Sequence, residues 1–277
     1  MKRSARSAFR QRLWSSLALS ALLLSTATLV FLGCDKLAVP PAETTQKQLL
    51  AAIAAVRRGE ESKIHLEEPA LTDKDLAAFE GLTGVQELII GKARLTDRGL
   101  GYLTSLSELK RLELPAGSIG DEGLQILAEM ENLEWLNIPA PQASDDGLIA
   151  IRQLKNLQIL NLHQTQITDQ GLSELGSLSE LALLRFGSPH VTARGLEHLE
   201  SLGELKALHL MEVPINDEGL QSIARMKKLE SFYLDGGHVS ESALEKLIES
   251  RPALHFHRDQ QHLDNDPQHH PHLDRKF

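Results

Sequence analysis

Leucines recur along this chain with two periods at once. The short one is local: Leu160 and Leu162 alternate as on a strand with one buried face, while Leu172, Leu175 and Leu178 step by three, as along one side of a helix. The long one spans the chain, since Leu76, Leu100, Leu124, Leu148, Leu172, Leu196, Leu220 and Leu244 follow one another every 24 residues. Strand-like segments keep that step, in LELP from 112, LNIP from 136, LNLH from 160, LRFG from 184, LHLM from 208 and FYLD from 232. The pattern predicts one strand-and-helix unit repeated eight times over residues 64–255, with no insertion. A single unit leaves an apolar side open to water, and stacking closes it, so a single solenoid is expected.

The repeat form LxxLxLxxxxITDxGLxxLxxLxx resembles leucine-rich repeats of a 24-residue kind found in bacterial surface proteins and lipoproteins, throughout residues 64–255. The resemblance implies an α/β solenoid: eight coils, each giving one strand to a concave parallel sheet and one helix to the convex side. Ahead of it, residues 44–60 read as an N-terminal cap helix, with Thr44 or Thr45 at its start and Leu49, Leu50, Ile53 and Val56 on the face that covers the first coil.

Every coil carries a version of ITDQGL, found at residues 167–172. The residue ahead of the acid is Thr72, Thr96, Gly120, Ser144, Thr168, Thr192, Asn216 or Ser240, all favoured helix N-caps. The next position holds an aspartate in six coils, with Ala193 and Glu241 as exceptions, and a carboxylate there suits the helix dipole. Thr96, Asp97, Thr168, Asp169, Asn216 and Asp217 are therefore expected to be structural helix caps. On that reading Asp169→Ala costs only a fraction of a kcal/mol. The functional alternative is a ladder of carboxylates holding cations, but each coil contributes a single acid and its neighbours are as often Lys74, Arg98 or Arg194, so no metal site is expected. Glycine at 99, 123, 147, 171, 195 and 219 is a poor helix former and points to crowding between coils.

The first 33 residues do not fit the repeat. Lys2, Arg3, Arg6, Arg10 and Arg12 precede an uncharged run from Leu13 to Gly33, which reads as an export signal. Cys34, the only cysteine, follows in FLGC, which resembles the lipobox of bacterial lipoproteins and makes Cys34 the expected lipidation site. An uncleaved membrane anchor is the alternative, the run being long enough to span. Residues 34–43 read as a linker. Either reading places the repeats on the extracytoplasmic side, in the cell envelope, with the membrane held through the N-terminal lipid or anchor. Without residues 1–33 the chain keeps 24 Lys and Arg against 38 Asp and Glu, an acidic balance that speaks against nucleic acid as a partner.

Nothing in the chain matches GxSxG, HExxH or a phosphate loop, and no cofactor or catalytic residue is expected. The outward positions of the concave strands are the place to look for function: Arg111, Glu113, Trp135, Asn137, Ile159, Asn161, His163, Leu183, Arg185, His209 and Tyr233. Trp135, Ile159 and Leu183 would lie side by side, in a polar surround with arginine and tyrosine anchors, which is the composition of a surface that binds another protein. Recognition of an envelope polysaccharide and a purely structural role are the alternatives. His163 and His209 fall two coils apart, too far to share a metal. Residues 256–277 read as a histidine-rich, disordered tail, with weak zinc or nickel binding as a minor possibility.

Overall fold

A computed structural model describes residues 41–67, 71–259 and 261–262. The expected signal segment, Cys34, most of the expected linker and the chain from 263 onward lie outside the described residues.

Each coil opens with a strand. β1 (Lys63–Leu66), β2 (Glu87–Ile90), β3 (Arg111–Glu113), β4 (Trp135–Ile138), β5 (Ile159–Gln164), β6 (Leu183–Gly187), β7 (Ala207–Met211), β8 (Ser231–Asp235) and β9 (His255–Arg258) pair in chain order, all parallel. A short β10 (Gln261–His262) adds antiparallel to β9, setting His262 across from His257. The period of the sequence becomes the register of the sheet: Leu88, Leu112, Leu136, Leu160, Leu184 and Leu208 line up on adjacent strands and are fully buried.

Helices return on the other side. They are α2 (Asp73–Leu76), α3 (Asp97–Leu100), α4 (Asp121–Ala128), α5 (Asp145–Ile151), α6 (Asp169–Leu175), α7 (Ala193–Leu199), α8 (Asp217–Arg225) and α9 (Glu241–Ser250), each packed on the next. One continuous core runs between the two layers. Within a coil its members are few and repeated, as with Leu160, Leu162, Ile167, Leu172, Leu175, Leu178 and Leu181, each at most 1% exposed. Burying a leucine side chain contributes about 1.5–3 kcal/mol, so these rows dominate the stability of the stack.

The helix ahead of the repeats, α1, runs Pro41–Arg57, so it starts and stops earlier than residues 44–60. Proline is compatible with a first helical turn, where its missing N–H has no partner to lose. Gly59, with φ of 70°, ends the helix, its amide bonded to the Val56 carbonyl at 2.8 Å. Leu49, Ile53 and Val56 are buried against β1 and the turn Ala77–Phe79, whereas Leu50 is 52% exposed. Leu50 is 100° around the helix from Leu49, which turns it away from the solenoid.

The other end also differs from expectation, because residues 256–258 belong to β9 rather than to a disordered tail. Phe256 falls one period after Phe232, is buried, and stacks on it at 5.3 Å between ring centroids. The apolar period therefore outlasts the leucines.

The aspartates at the helix starts reach beyond their own helices. Asp145 Oδ1 accepts the backbone N–H of Thr168 in the next coil and Oδ2 accepts its hydroxyl, at 2.7 and 2.6 Å. Asp73 holds Thr96, Asp121 holds Ser144, Asp169 holds Thr192 and Asp217 holds Ser240 in the same way, and Asp97 accepts the amide of Gly120, all at 2.6–2.8 Å. The carboxylate is thus a clamp between coils as well as a helix-start charge. The residue it grips then caps its own helix: Thr168 Oγ1 accepts from the Gln170 amide at 3.2 Å, and Ser144, Thr192 and Ser240 behave alike. Thr96, expected to cap α3, makes no such bond and only donates its hydroxyl to Asp73. Asn216 follows Ala193, which has no carboxylate to offer, and caps α8 through the amides of Glu218 and Gly219.

The clamp explains the glycines. A Cβ at Gly171 would stand 2.2 Å from Asp145 Oδ1, and Gly99, Gly123 and Gly195 would each meet the preceding coil's aspartate at 2.4 Å. Gly219, downstream of Ala193, meets no carboxylate, and its nearest obstacle is Ile215 Cβ at 3.0 Å.

Asp145→Ala is therefore expected to cost about 1–3 kcal/mol, the value of charge-assisted hydrogen bonds, rather than the fraction anticipated from a dipole alone. In a solenoid of this size that lowers Tm by several degrees, about 2–4 °C per kcal/mol. Gly171→Ala should lower Tm as well, because the methyl displaces the clamp. Gly219→Ala should be close to neutral, since alanine's helix propensity offsets mild crowding. Thermal denaturation of the three variants, followed by circular dichroism, checks the ordering.

Candidate functional site

The outward positions of the sheet form two rows, because successive side chains on a strand alternate between faces. The first row places Arg111, Trp135, Ile159, Leu183 and Ala207 on adjacent strands, and the second places Glu113, Asn137, Asn161, Arg185, His209 and Tyr233. His163 projects one step further along β5. The structure thus brings the concave residues selected from the sequence into one continuous surface. It places Met211 and Asp235 at the rim, and it adds Ala207 as floor and His255 and His257 as an extension of both rows onto β9. His257 was legible only in the period, since the repeat leucines stop at 254 and residues from 256 onward read as tail.

Several of these side chains are already engaged. The Arg111 guanidinium lies 3.7 Å above the Trp135 ring and also pairs with Glu113, which fixes it as a lid on one indole face. His209 bonds Asp235 at 2.8 Å, and Tyr233 stacks on His257 at 4.4 Å between centroids. Asn137 Oδ1 accepts a hydrogen bond from His163 Nε2 at 3.2 Å.

The asparagines sit deeper than expected for an exposed polar flank: Asn137 is 6% and Asn161 5% exposed. Larger neighbours on adjacent strands cover them, and together they border a cavity of about 50 Å³ with Trp135, Ile159, Leu183 and Arg185. That is room for one or a few waters, or for the tip of a ligand side chain. Two groups there are poised for something else. Asn161 Oδ1 has no hydrogen-bond donor among the described residues, although burying such an acceptor costs about 1–3 kcal/mol. Arg185 has no carboxylate partner among the described residues, its Nε bonding only the Met211 sulfur at 3.2 Å.

A broader open groove runs along the strand exits beneath this cavity, past Pro115, Pro139, His163, Arg185 and Met211. Burial holds His163 below the ordinary histidine range, with the positive charges of Arg185 and His209 adding to the effect. Its charged form is thus disfavoured in this groove, beside the cavity.

A parallel sheet at a constant 24-residue step, backed by one helix per coil, defines a leucine-rich-repeat solenoid. A family model described as a leucine-rich repeat matches residues 153–176, one period of the chain. None of the curated proteins matches. The solved structures to which the chain is similar include two from Listeria monocytogenes. Internalin C2 has a TM-score of 0.57 at 22% identity, over 73% of this chain and 88% of that one, and the internalin inlF has 0.55 at 22%, over 66% and 49%. The chain thus spans about half the length of inlF. At this identity the likeness is one of fold.

His163 makes the stability of the site depend on pH. Its native pKa lies below the unfolded one, so the unfolded chain holds the extra proton in between, and stability present above about pH 6.5 is lost as the pH falls. His163→Gln should flatten the decline in Tm between about pH 7.5 and about pH 5.5 relative to the parent. Equal slopes for the two proteins would remove His163 from the account.

Proposed function

We propose that this chain is a binding scaffold that takes up a segment of another protein on its concave sheet, and that it is not a catalyst. The observation that carries this is the pairing, within one cavity wall, of an apolar row with an acceptor that has no donor and a cation that has no carboxylate among the described residues. Ile159, Leu183 and Ala207 offer an apolar floor, Asn161 Oδ1 needs an N–H, and the Arg185 guanidinium needs an acceptor. A polypeptide supplies all three chemistries at strand spacing: side-chain carbon, backbone N–H, and carbonyl or carboxylate oxygen. Polysaccharide recognition is favoured less, because Arg111 covers one face of Trp135 and His257 one face of Tyr233, the rings on which a sugar would stack.

Export and tethering belong to the same proposal, supported by the basic start, the uncharged run and Cys34, all outside the described residues. Among the described residues, no helix is long and apolar enough to cross a membrane. Under this reading Cys34 carries the lipid and the solenoid faces outward. Metabolic labelling with a radioactive fatty acid should mark the parent chain and leave Cys34→Ser unlabelled.

A photo-crosslinking amino acid at Leu183, compared with one at Glu197 on the convex side, tests the working face in the native envelope. The expected result is a discrete protein adduct from position 183 that disappears when Arg185→Glu is added and is absent from position 197. Adducts of equal yield from both positions, or none from 183, would move function off the concave sheet and favour a purely structural role.

A further inference from the structure

We propose that His255 and His257 form a binding site for a late first-row transition-metal ion such as zinc or nickel, at the C-terminal end of the concave sheet. They are the i and i+2 residues of β9, so the strand alternation sends both imidazoles to the same face. Their Nε2 atoms stand 2.7 Å apart, with the ring centroids at 4.5 Å and the planes at 73°. At that separation one nitrogen donates a proton and the other offers its lone pair, since two protonated rings would repel. Bound to a single metal at about 2.0–2.1 Å each, the two nitrogens need to open only slightly, to the spacing of adjacent ligands in a tetrahedral or octahedral shell. The donor ring then carries its proton on Nδ1, an ordinary tautomer.

The surroundings hold this arrangement in place. Phe256, between the two, is buried and stacked on Phe232, which anchors the strand, and Tyr233 lies flat on the His257 ring at 4.4 Å. A rigid pair loses little freedom on binding, so it chelates better than two histidines in a loose segment. Imidazole nitrogen selects zinc, nickel and copper over magnesium and calcium, which prefer oxygen. The described residues supply two ligands, and no group of three or more acidic, histidine or cysteine side chains assembles there. His257 is only 3% exposed, so the ion would sit at the buried edge of this face, its remaining ligands being water or a group from elsewhere. The metal site stands on the β9 geometry alone and does not need the partner-binding assignment above.

The experiment is a calorimetric titration of the full-length chain, carrying no affinity tag, with Zn²⁺ alone, repeated with Mg²⁺. His255→Ser and His257→Tyr are the variants of choice because they install the residues that β8 carries in register, Ser231 and Tyr233, and so suit the repeat. A third variant replaces His269, His270 and His272 by asparagine, leaving β9 untouched. The expected result is saturable Zn²⁺ binding and none for Mg²⁺. Each β9 substitution should weaken Zn²⁺ at least about tenfold, the lower end of what losing even an outer partner costs a metal site. The tail variant should bind as the parent does. Zn²⁺ binding that survives both β9 substitutions and vanishes with the tail histidines, or no saturable binding by the parent, overturns the proposal. Tm in the presence of chelator confirms that each variant is folded, and if one β9 variant is not, the other decides.

Discussion

One carboxylate per coil sets the spacing of this solenoid. Hydrophobic burial supplies most of the stability but is tolerant of direction, since a row of leucines can slide along another with modest loss. The aspartate at a helix start is not tolerant, because it must meet the backbone N–H of the next coil's cap residue, and its hydroxyl wherever that residue is Ser or Thr, within hydrogen-bond distance. That fixes how far each coil is shifted and rotated against its neighbour, and so fixes the in-register alignment of the strands on the opposite side. The two rows on the concave face exist because this geometry repeats. The junction at Ala193 lacks the clamp, and there Asn216 turns inward to cap its own helix. One missing junction among many is compatible with a stack whose neighbours hold it on both sides.

The glycines follow from the same constraint. A residue two positions beyond the acid must leave room for the carboxylate of the coil before, and only a hydrogen fits at 2.2–2.7 Å. Coils without an upstream carboxylate escape the rule. Asp75, in the first coil, folds back onto Thr72, and Gly219, after Ala193, meets Ile215 and Leu196 but no carboxylate. Ala243 does follow an intact clamp from Asp217, and there the cap residue Ser240 takes a different backbone conformation, φ −79° against −111° to −122° elsewhere.

The architecture was legible in the sequence because every coil repeats the same apolar positions, so the period alone locates strands, helices and the faces they turn inward. Three things were not legible, each for a physical reason. The partner of Asp145 is Thr168, and sequence reasoning sees a helix-start acid beside its own helix long before it sees a residue one coil away. The depth of Asn161 depends on what its neighbours cover, which no single position encodes. The continuation of the sheet through His257 was hidden because histidine and phenylalanine replaced the leucines that marked the period, although the step from Phe232 to Phe256 preserved it. Among candidate site residues, the register brought together those chosen from alternation alone, while their hydrogen-bond state, on which the functional reading turns, required coordinates.

The most direct test of the account is a double-mutant cycle joining Asp145→Ala and Gly171→Ala, read as the free energy of unfolding in denaturant. If the glycine exists to accommodate the carboxylate, Gly171→Ala destabilises the parent but becomes neutral or stabilising once Asp145 is alanine, the gain approaching the ~1 kcal/mol helix preference of alanine over glycine. If Gly171→Ala costs the same in both backgrounds, the glycine answers to something other than the clamp, and the carboxylate ladder is not what spaces the coils.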